Sequence, residues 1–554
     1  MSSNFPRLSG GALNVAAKAM RLSFVRKIMA KHMRRQLGIE ALLALDLDAR
    51  SPMPLDYRPV QARPVRSVVG DFALPEPPTA IPSARSWTAV YESQAATPTE
   101  LVERTILNAD KLANNKPSMN CFTHIDEEGA LRDAAASTER WANGTPKGPL
   151  DGVVVPIKEM TDIDGAGGRI GADFLPERSD TRDATSVARL REAGAIILGL
   201  TPMVEMGMSP MGANPNRDMP RNAHAFDRVA GGSSTGSAVA VATGLAPVTL
   251  GCDGGGSLRI PAAYNGIFSI KPTAGRVSRH LDGFGGSMDH FGPMAASPHD
   301  LAIFLEACAG PDPLDSITDN SPPVRPGEFT AALGRGVAGL RIGVLQSEID
   351  AADPEIAKAC RIALAALEED GADLVDVSIS LAEHAAAIGF VVIGLETYVE
   401  LLDQERQGWR GMTPDNQVMM SLFEAFHPAD YVDAQCFRTS LRQQCASRLR
   451  DVDVLALPTT ARVAPTVSDA QMQSGFSDIE ETQAACRFTF LGNLTGLPCG
   501  QAPVGSGESG MPVGLQIVGD AFAENEVLAV LAHLERIGAA SVRSPVMGAS
   551  PLDS

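Results

Sequence analysis

Short apolar runs alternate with amphipathic segments along most of this chain. The runs have the length of buried strands, and the segments between them have the apolar spacing of helices. Clear runs lie at residues 153–157, 195–200, 340–345, 452–457 and 515–518, and helices are predicted at 185–193, from 353 to about 370, and at Glu524–Arg536. Because strands that are apolar throughout need cover on both faces, this alternation predicts an α/β fold: a large, mixed, mostly parallel β-sheet with helices on both faces.

Composition and charge exclude several function classes. Of the 554 residues, 44% are hydrophobic, which provides ample material for a large core. The 66 acidic residues outnumber the 47 basic ones, and the net charge is −19. Phosphate backbones need a basic surface and single strands need aromatic platforms, whereas aromatic residues make up only 5% of this chain. We therefore expect no nucleic-acid partner.

Cysteine usage and the N-terminus bear on cofactors and location. The eight cysteines are scattered, with no CxxC pair and no Cys/His spacing typical of zinc, so we expect reduced thiols, no metal and no cofactor. The N-terminus lacks the apolar core and cleavage site of a secretory signal, and no uninterrupted apolar run of 18 residues occurs. These features predict a soluble, cytoplasmic protein.

The first 40 residues are basic, whereas the rest of the chain is acidic. This segment carries eight Lys and Arg residues against one acidic residue, so its charge is +7 and that of the remainder is −26. An apolar stripe at spacings of three and four predicts an amphipathic helix; its members are Leu13, Ala17, Met20, Phe24 and Ile28. Such a helix can lie on an anionic membrane surface, but packing on the acidic body is the favoured interpretation.

The chain divides into two parts by composition. A proline-rich stretch over residues 51–82 predicts an extended linker, and the main body begins near Thr97 with the capping box of a helix. We therefore expect a basic arm with its linker over 1–95 and a single domain over 96–554. The pattern is weaker at about 310–450, and we interpret that region as a variable insertion within the domain.

Glycine and serine concentrate in two clusters that flank a short apolar run. The first, GGSSTGS, covers residues 231–237, and the second, GCDGGGSLRIP, covers residues 251–261. A helix is predicted to begin at each cluster, where unpaired backbone N–H groups attract negative charge. Glycine also lets the backbone approach a ligand closely. The two clusters are therefore the best candidates for a site of chemistry.

Two mechanisms that use such clusters fit this chain poorly. Nucleotide binding is disfavoured, because residues 231–237 lack the lysine of a phosphate loop and no dinucleotide fingerprint occurs. The G-x-S-x-G pattern at 232–236 would make Ser234 the nucleophile of an α/β-hydrolase. That fold also needs an acid and a histidine downstream, and no later histidine lies in a recognisable motif.

Acyl transfer by Ser257 is the third mechanism, and it needs oxyanion donors and a base. Gly254, Gly255 and Gly256 immediately precede this serine and would present several backbone N–H groups beside it. The candidate base is Lys158, which follows a buried strand, where desolvation can hold a lysine neutral. Taken alone, this lysine fits a salt bridge or a surface position better.

Three motifs occur together in one order. They are Lys158, GGSSTGS and GCDGGGSLRIPAAYNGIFSIKPT, with 75 residues from Lys158 to Ser233 and 24 from Ser233 to Ser257. Together they resemble the amidase signature family of serine hydrolases, and the similarity covers most of residues 97–540. The resemblance implies the amidase signature fold and a hydrolase of carboxylic amides, which acts on linear C–N bonds other than peptide bonds.

The resemblance also implies a Ser–cisSer–Lys triad. Ser257 would be the nucleophile that forms an acyl-enzyme. Ser233 would be a bridging serine, held by a cis peptide bond after Gly232. Lys158 would be the neutral base that withdraws the proton of the nucleophile through the bridging serine.

Residues around the triad receive supporting roles from the same resemblance. Backbone N–H groups of the three glycines and of Ser257 itself would hold the oxyanion, Asp253 and Arg259 would brace the turn, and Ser234 would be a helix cap. Gly254 stands where the family often has threonine. We expect this glycine to loosen the oxyanion turn and to affect the rate rather than the type of reaction.

The substrate is predicted less sharply than the reaction. The arm and linker are similar to those of plant-type fatty acid amide hydrolases, and Met206 and Met208 follow a predicted strand, where they could line a hydrophobic pocket. We expect a small-molecule amide with a hydrophobic acyl or aryl group, or a related ester or carbamate. An esterase that uses Ser234 and a non-catalytic amidotransferase-like subunit stay open as alternatives, and so does a homodimer.

Overall fold

The fold is built on one large mixed sheet. The computed structural model of the chain describes residues 7–45, 72–74, 80–176, 181–282, 286–403 and 409–553. The strands are β1 (Leu8–Ser9), β2 (His124–Ile125), β3 (Ile157–Lys158), β4 (Gly199–Thr201), β5 (Val248–Asp253), β6 (Phe268–Lys271), β7 (His290–Ala295), β8 (Arg341–Val344), β9 (Asp373–Asp376), β10 (Val454–Pro458), β11 (Phe476–Ser477), β12 (Cys499–Ser506) and β13 (Pro512–Gly519). Within these ranges, eleven strands form the main sheet, and β1 pairs with β11 in a separate two-stranded sheet.

The strand order in the main sheet is β2-β4-β3-β5-β7-β6-β12-β13-β10-β8-β9. The prediction of a mixed sheet is confirmed, but the expectation that it is mostly parallel is wrong. Four neighbouring pairs are parallel, namely β3 with β4, β3 with β5, β10 with β8 and β8 with β9, whereas the other six are antiparallel. Apolar runs report burial but not strand direction, and the centre of this sheet is a series of antiparallel neighbours.

Helices surround the sheet. They are α1 (Gly10–Met20), α2 (Ser23–Gln36), α3 (Ile39–Leu43), α4 (Ala84–Glu92), α5 (Pro98–Ala113), α6 (Glu127–Ala142), α7 (Thr185–Glu192), α8 (Thr235–Ala242), α9 (Arg259–Tyr264), α10 (Pro298–Cys308), α11 (Glu328–Ala332), α12 (Gln346–Asp350), α13 (Pro354–Glu369), α14 (Ala385–Glu400), α15 (Pro414–Phe423), α16 (Pro428–Arg448), α17 (Asp469–Ser474), α18 (Ile479–Cys486), α19 (Phe490–Thr495) and α20 (Glu524–Arg536). Short 3-10 turns cover Glu205–Gly207, Ser316–Thr318 and Ala382–His384.

Strand β13 shows that both faces of the sheet carry helices. A Cβ added at Gly519 would lie 2.9 Å from Val527 of α20, and one added at Gly514 would lie 2.9 Å from Ala263 of α9. These glycines are five residues apart, so their side-chain positions point to opposite faces of the strand. The sheet is therefore a middle layer, as expected for strands that are apolar throughout.

Most predicted elements are present, with shifts at the ends. Helix α20 has the predicted bounds, and α5 begins with the predicted capping box, in which Thr97 accepts from the N–H of Glu100 and Glu100 accepts from that of Thr97. The strand predicted at 153–157 differs, because only Ile157–Lys158 forms a strand. Lys158 thus lies within the strand and not after it.

The described part of the basic arm packs against the body. Leu13, Ala17 and Met20 of α1 are buried, as the stripe predicts. Phe24 and Ile28 are 64% and 66% exposed, so the predicted stripe is wrong beyond Met20. The physical reason is a break at residues 21–22, after which α2 runs as a second helix with a different buried face.

Complementary charge joins the arm to the acidic body. Arg26 pairs with Glu424 at 2.8 Å, and Arg34 pairs with Asp430 at 2.6 Å. The partners lie just after α15 and in α16, within the region predicted as a variable insertion. That region also supplies β8 and β9 to the main sheet. Of the predicted linker, only residues 72–74 and 80–82 lie within the described part of the chain.

One described stretch is long and apolar enough to cross a membrane by length and composition. It is Ala382–Glu400, with a mean hydropathy of 1.2 in its most apolar window, half of which is buried. Glu383, His384 and Glu396 interrupt this stretch, so it is not the uninterrupted apolar run of 18 residues that the sequence analysis found to be missing. In the structure, most apolar residues of α14 are buried in the body, and Phe390 and Ile393 also line a pocket.

Candidate active site

The ends of two neighbouring strands bring the predicted motifs together. β3 and β5 are parallel and paired through Ile157 and Leu250, so their carboxyl ends lie at the same edge of the sheet. Lys158 ends β3, and Asp253 ends β5 directly before the turn at 254–258. The cluster at 231–237 leads into α8, whose residues pack on both strands.

Lys158 and Ser233 are in direct contact inside the protein. The lysine Nζ donates to Ser233 Oγ at 2.8 Å and approaches the carbonyl oxygen of Cys252 at 3.4 Å. Both side chains are buried, and the Gly232–Ser233 peptide bond is cis. Burial lowers the pKa of Lys158, while Cys252 and then Asp289 act in the opposite direction. A lysine in these surroundings holds its proton less tightly than one in water.

Ser257 lies on the turn before α9 and lines the same pocket as Lys158 and Ser233. It is partly exposed, whereas Ser233 is buried. The structure therefore brings the three predicted side chains to one cavity and leaves Ser257 the most accessible of them.

The backbone N–H groups of the turn fall into two classes, one that donates to a protein acceptor and one that does not. The N–H of Gly256 donates to Asp253 Oδ1 at 2.7 Å. This N–H group therefore points to the aspartate and not to the place of an oxyanion, which differs from the prediction. Among the described residues, the N–H groups of Gly254, Gly255 and Ser257 have no protein acceptor. Those three residues also line the pocket, whereas Gly256 does not.

Asp253 and Arg259 form a fully buried ion pair beneath the turn. Arg259 Nη2 and Nε donate to the two oxygens of Asp253 at 2.8 and 2.9 Å. Asn493 Nδ2 adds another bond to Asp253 Oδ1 at 2.8 Å. Burial alone would raise the pKa of Asp253, but the charge and hydrogen bonds of Arg259 outweigh it and hold that pKa well below its usual range. This pair therefore sits as the predicted brace would.

At two positions of the turn, neighbouring side chains leave little room for a Cβ atom. A Cβ at Gly255 would lie 2.7 Å from the ring of Phe490, and one at Gly254 would lie 2.5 Å from Asp289 Oδ1. The glycine at 254 was expected to loosen the turn. In the structure, the space of its missing side chain is occupied by the Asp289 carboxylate.

The surroundings of Ser234 argue against the α/β-hydrolase alternative. Its hydroxyl is buried and donates to the carbonyl oxygen of Cys252 at 3.1 Å. Ser234 stands at the N-cap position of α8, but its side chain makes no capping hydrogen bond, which differs from the predicted role. No histidine is among the described residues that line the pocket.

The pocket in front of these residues is mostly apolar. It encloses about 970 Å³, including its open mouth. Met206 and Met208, the predicted substrate-pocket residues, are among the residues that line it. Further apolar lining residues that sequence reasoning missed are Met160, Ile170, Met288, Phe390, Ile393, Met419, Phe423 and Phe490. They come from distant segments, and only the long apolar stretch of α14 marked any of them in the sequence.

Carboxylates form a second part of the lining that the sequence did not reveal. Asp289, Glu396 and Glu400 all face the pocket. Glu396 accepts from Ser287 Oγ at 2.6 Å and from Tyr431 Oη at 2.9 Å. The pocket therefore combines apolar walls with an acidic side, and the carboxylates of that side come from two segments of the chain.

Asp289 is a carboxylate beside the turn whose charge changes near neutral pH. Burial, together with the charges of Glu396 and Glu400, raises its pKa to about 7. The positive charges of Arg279 and Lys158 oppose this effect. Lys158 and Asp289 therefore influence each other's protonation across the pocket.

Comparison with known proteins gives one consistent family. A profile of the Amidase family matches residues 100–528. The chain is 30% identical to a fatty acid amide hydrolase of Oryza sativa subsp. indica, over 96% of this chain and 93% of that protein. It is 35% identical to a glutamyl-tRNA(Gln) amidotransferase subunit of Roseiflexus sp. (strain RS-1), over 80% of this chain and 94% of that protein.

Solved structures agree with the sequence relatives. The native peptide amidase of Stenotrophomonas maltophilia is 26% identical and superimposes with a TM-score of 0.71, over 83% of this chain and 98% of that one. Both the fold and the sequence thus match enzymes that act on amides. The chain belongs to the Amidase (amidase signature) family and is an amide-hydrolysing enzyme.

Proposed function

We propose that this enzyme hydrolyses small amides with a hydrophobic acyl or aryl group through an acyl-enzyme on Ser257. The observation that carries the proposal is the 2.8 Å contact between Lys158 Nζ and Ser233 Oγ, in the pocket that Ser257 also lines. Such a chain of two hydroxyls and a desolvated amine can activate a serine without histidine.

In the proposed reaction, Ser257 Oγ attacks the amide carbonyl carbon. Its proton passes to Ser233 while Ser233 gives its own proton to neutral Lys158. The protonated lysine then returns a proton through Ser233 to the leaving nitrogen, the C–N bond breaks, and the amine departs. Water then gives a proton to the same relay and attacks the ester carbonyl carbon. The relay returns that proton to Ser257 Oγ as the ester C–O bond breaks, so the carboxylic acid leaves and the serine hydroxyl is restored.

The negative charge on the carbonyl oxygen needs hydrogen-bond donors. We assign this task to the backbone N–H groups of Gly254, Gly255 and Ser257, for which the described residues offer no acceptor. Loss of one such donor typically slows a reaction by about 10²–10³-fold. Because Gly256 is engaged by Asp253 at 2.7 Å, it would hold the shape of the turn and not the oxyanion.

The substrate class follows from the pocket and from similarity. Met206, Met208 and the aromatic residues around them offer an apolar surface that fits an acyl chain or an aryl ring. The similarity to a fatty acid amide hydrolase of rice over nearly the whole chain supports the same class. Related esters and carbamates share the reacting carbonyl and are expected to be alternative substrates.

The non-catalytic amidotransferase-like subunit that the sequence analysis left open is disfavoured, because the chain belongs to a family of amide-hydrolysing enzymes, although it is also 35% identical to a subunit of a glutamyl-tRNA(Gln) amidotransferase. The rice relative is matched over 96% of this chain against 80% for that protein, and the acidic charge of −19 is unsuited to tRNA. A cytoplasmic location stays a prediction, whereas homodimer formation stays an open alternative and contact of the arm with a membrane surface stays the less favoured one.

Turnover of p-nitroanilides by the purified chain alone tests both hypotheses. We expect hydrolysis of a hydrophobic acyl p-nitroanilide, and a loss of about 10³-fold or more in Ser257→Ala and in Lys158→Ala. The matched control is Ser234→Ala, which should keep its rate to within about tenfold, since this hydroxyl makes buried hydrogen bonds only to the backbone of Cys252. An active Ser257→Ala enzyme, or no turnover of any amide by the chain alone, would overturn the proposal.

A further inference from the structure

Glu205 is a buried carboxylate that the proposed relay does not use. It begins the turn Glu205–Gly207 after β4, and 1% of it is exposed. The turn packs against the bridging serine, because a Cβ added at Gly207 would lie 3.3 Å from Ser233 Oγ. Met206, in the middle of the turn, lines the pocket and has a φ of 52°, a conformation that costs energy for a residue other than glycine. A feature outside the turn must therefore hold it in place.

The carboxylate of Glu205 is surrounded by neutral donors. Its Oε2 accepts from the Thr413 N–H at 2.9 Å, from Thr413 Oγ1 at 2.6 Å and from Asn416 Nδ2 at 2.8 Å. Its Oε1 accepts from Asn216 Nδ2 at 3.1 Å. Removing this acceptor would leave several buried donors unpaired, which is more costly than losing an ordinary surface contact.

The donors to Oε2 belong to a different wall of the pocket. Thr413 immediately precedes α15, and Asn416 lies in its first turn. The same helix carries Met419 and Phe423, which line the pocket. One carboxylate therefore ties the turn beside Ser233 to the helix that bears two apolar lining residues.

We propose that Glu205 is a positioning residue that fixes the apolar wall on α15 relative to the turn beside Ser233, and thereby sets how well a long hydrophobic substrate binds. The inference rests on the proposed function, since it takes this cavity as the substrate pocket. Neither Ser257 nor Lys158 is among the hydrogen-bond partners of Glu205 within the described residues. Its effect should therefore appear in substrate binding and its chain-length dependence, and not in the chemistry of the nucleophile.

The decisive experiment compares a long and a short substrate in Glu205→Gln. The nearly isosteric amide turns an N–H group toward buried donors at one of the two oxygen positions. We expect KM for decanoyl p-nitroanilide to rise by about tenfold to a hundredfold. For acetyl p-nitroanilide, kcat/KM should stay within about threefold, and so should the rate at which phenylmethanesulfonyl fluoride labels Ser257.

Two further variants keep the test sharp. Thr413→Val removes only the hydroxyl donor and should raise KM for decanoyl p-nitroanilide by a smaller factor than Glu205→Gln does. Glu526→Gln is the matched control: both Glu205 and Glu526 are buried, and burial raises the pKa of each to about 7, but Glu526 lies on α20 away from the pocket lining. It should leave the chain-length preference unchanged.

Two outcomes would overturn the positioning role. One is a Glu205→Gln enzyme whose KM and kcat/KM for both substrates equal those of the unchanged enzyme. The other is an equal fall in kcat/KM for both substrates, together with slower labelling of Ser257. That result would indicate general damage to the site. The proposed function fails separately, through turnover in Ser257→Ala, whatever the chain-length dependence shows.

Discussion

At the scale of single residues, the proposed chemistry depends on the protonation of Lys158. Its place at the end of an apolar run was evident from the sequence, but its surroundings were not. Burial lowers its pKa, and nearby negative groups, among them Asp289, partly restore it. Asp289 lies directly before β7, far along the chain from Lys158, and nothing in the local sequence marks it as a neighbour of the lysine.

The pH dependence of turnover follows from this arrangement. Because the neutral lysine is the base, kcat/KM should rise with pH, with a midpoint below the value of 10.5 for a free lysine. Asp289→Asn removes a negative charge that raises the pKa of Lys158, so the midpoint should move to lower pH. At a pH of about 8, where Asp289 is ionised, kcat/KM should rise by a factor of about two to ten. A pH–rate profile of p-nitroanilide hydrolysis measures this change.

The control for this profile is Glu103→Gln, an exposed carboxylate on α5, which should leave the midpoint in place. Arg279, Glu396 and Glu400 also act on Asp289, so the profile is to be compared between variants at one ionic strength. A midpoint that moves to higher pH in Asp289→Asn would contradict the electrostatic assignment.

At the scale of elements, the turn between β5 and α9 is the central feature. Its glycine run was evident in the sequence, and so was the helix that follows. The sequence did not show why each glycine is needed, because the reasons lie in distant residues. Phe490 packs against Gly255, and Asp289 lies against Gly254. The strand ends were also misplaced by a few residues, since apolar runs extend beyond the paired part of β3 and β4.

Gly255→Ala tests the packing of this turn. The added Cβ would lie 2.7 Å from the Phe490 ring, so either the ring or the turn must move. Because oxyanion donors act only at well-defined distances, we expect kcat to fall by at least about tenfold. Anilide kinetics measure this change, with circular dichroism to verify the fold. Gly11→Ala, whose Cβ would meet nothing within 4 Å, is the control and should keep full activity.

At the scale of the whole molecule, the arm and the region at about 310–450 belong to the architecture of the pocket. Glu424, which pairs with Arg26, follows the helix α15 that carries Met419 and Phe423. The charge contrast between arm and body was evident in the sequence. The tertiary structure decided which carboxylates pair with the arginines of the arm.

Arg34→Ala tests the docking of the arm. Arg34 and Asp430 are both largely buried and 2.6 Å apart, so their loss should weaken docking by about 1 kcal/mol. Hydrogen exchange of the amides in α1 and α2 should become faster, and added salt should speed it in the unchanged protein. Arg35→Ala, which removes an exposed neighbour, is the control. Equal exchange in the two variants would contradict the role of this ion pair.

The sequence by itself determined the α/β class, the glycine and serine motifs of the site and the basic arm, because burial, helix starts and charge depend on residues close together in the chain. The tertiary structure alone decided the antiparallel centre of the sheet, the use of the Gly256 N–H by Asp253, and the convergence of Asp289, the turn that Glu205 begins and the apolar walls on one pocket. These features depend on contacts between segments far apart in the chain, whose partners are chosen by packing and not by local pattern.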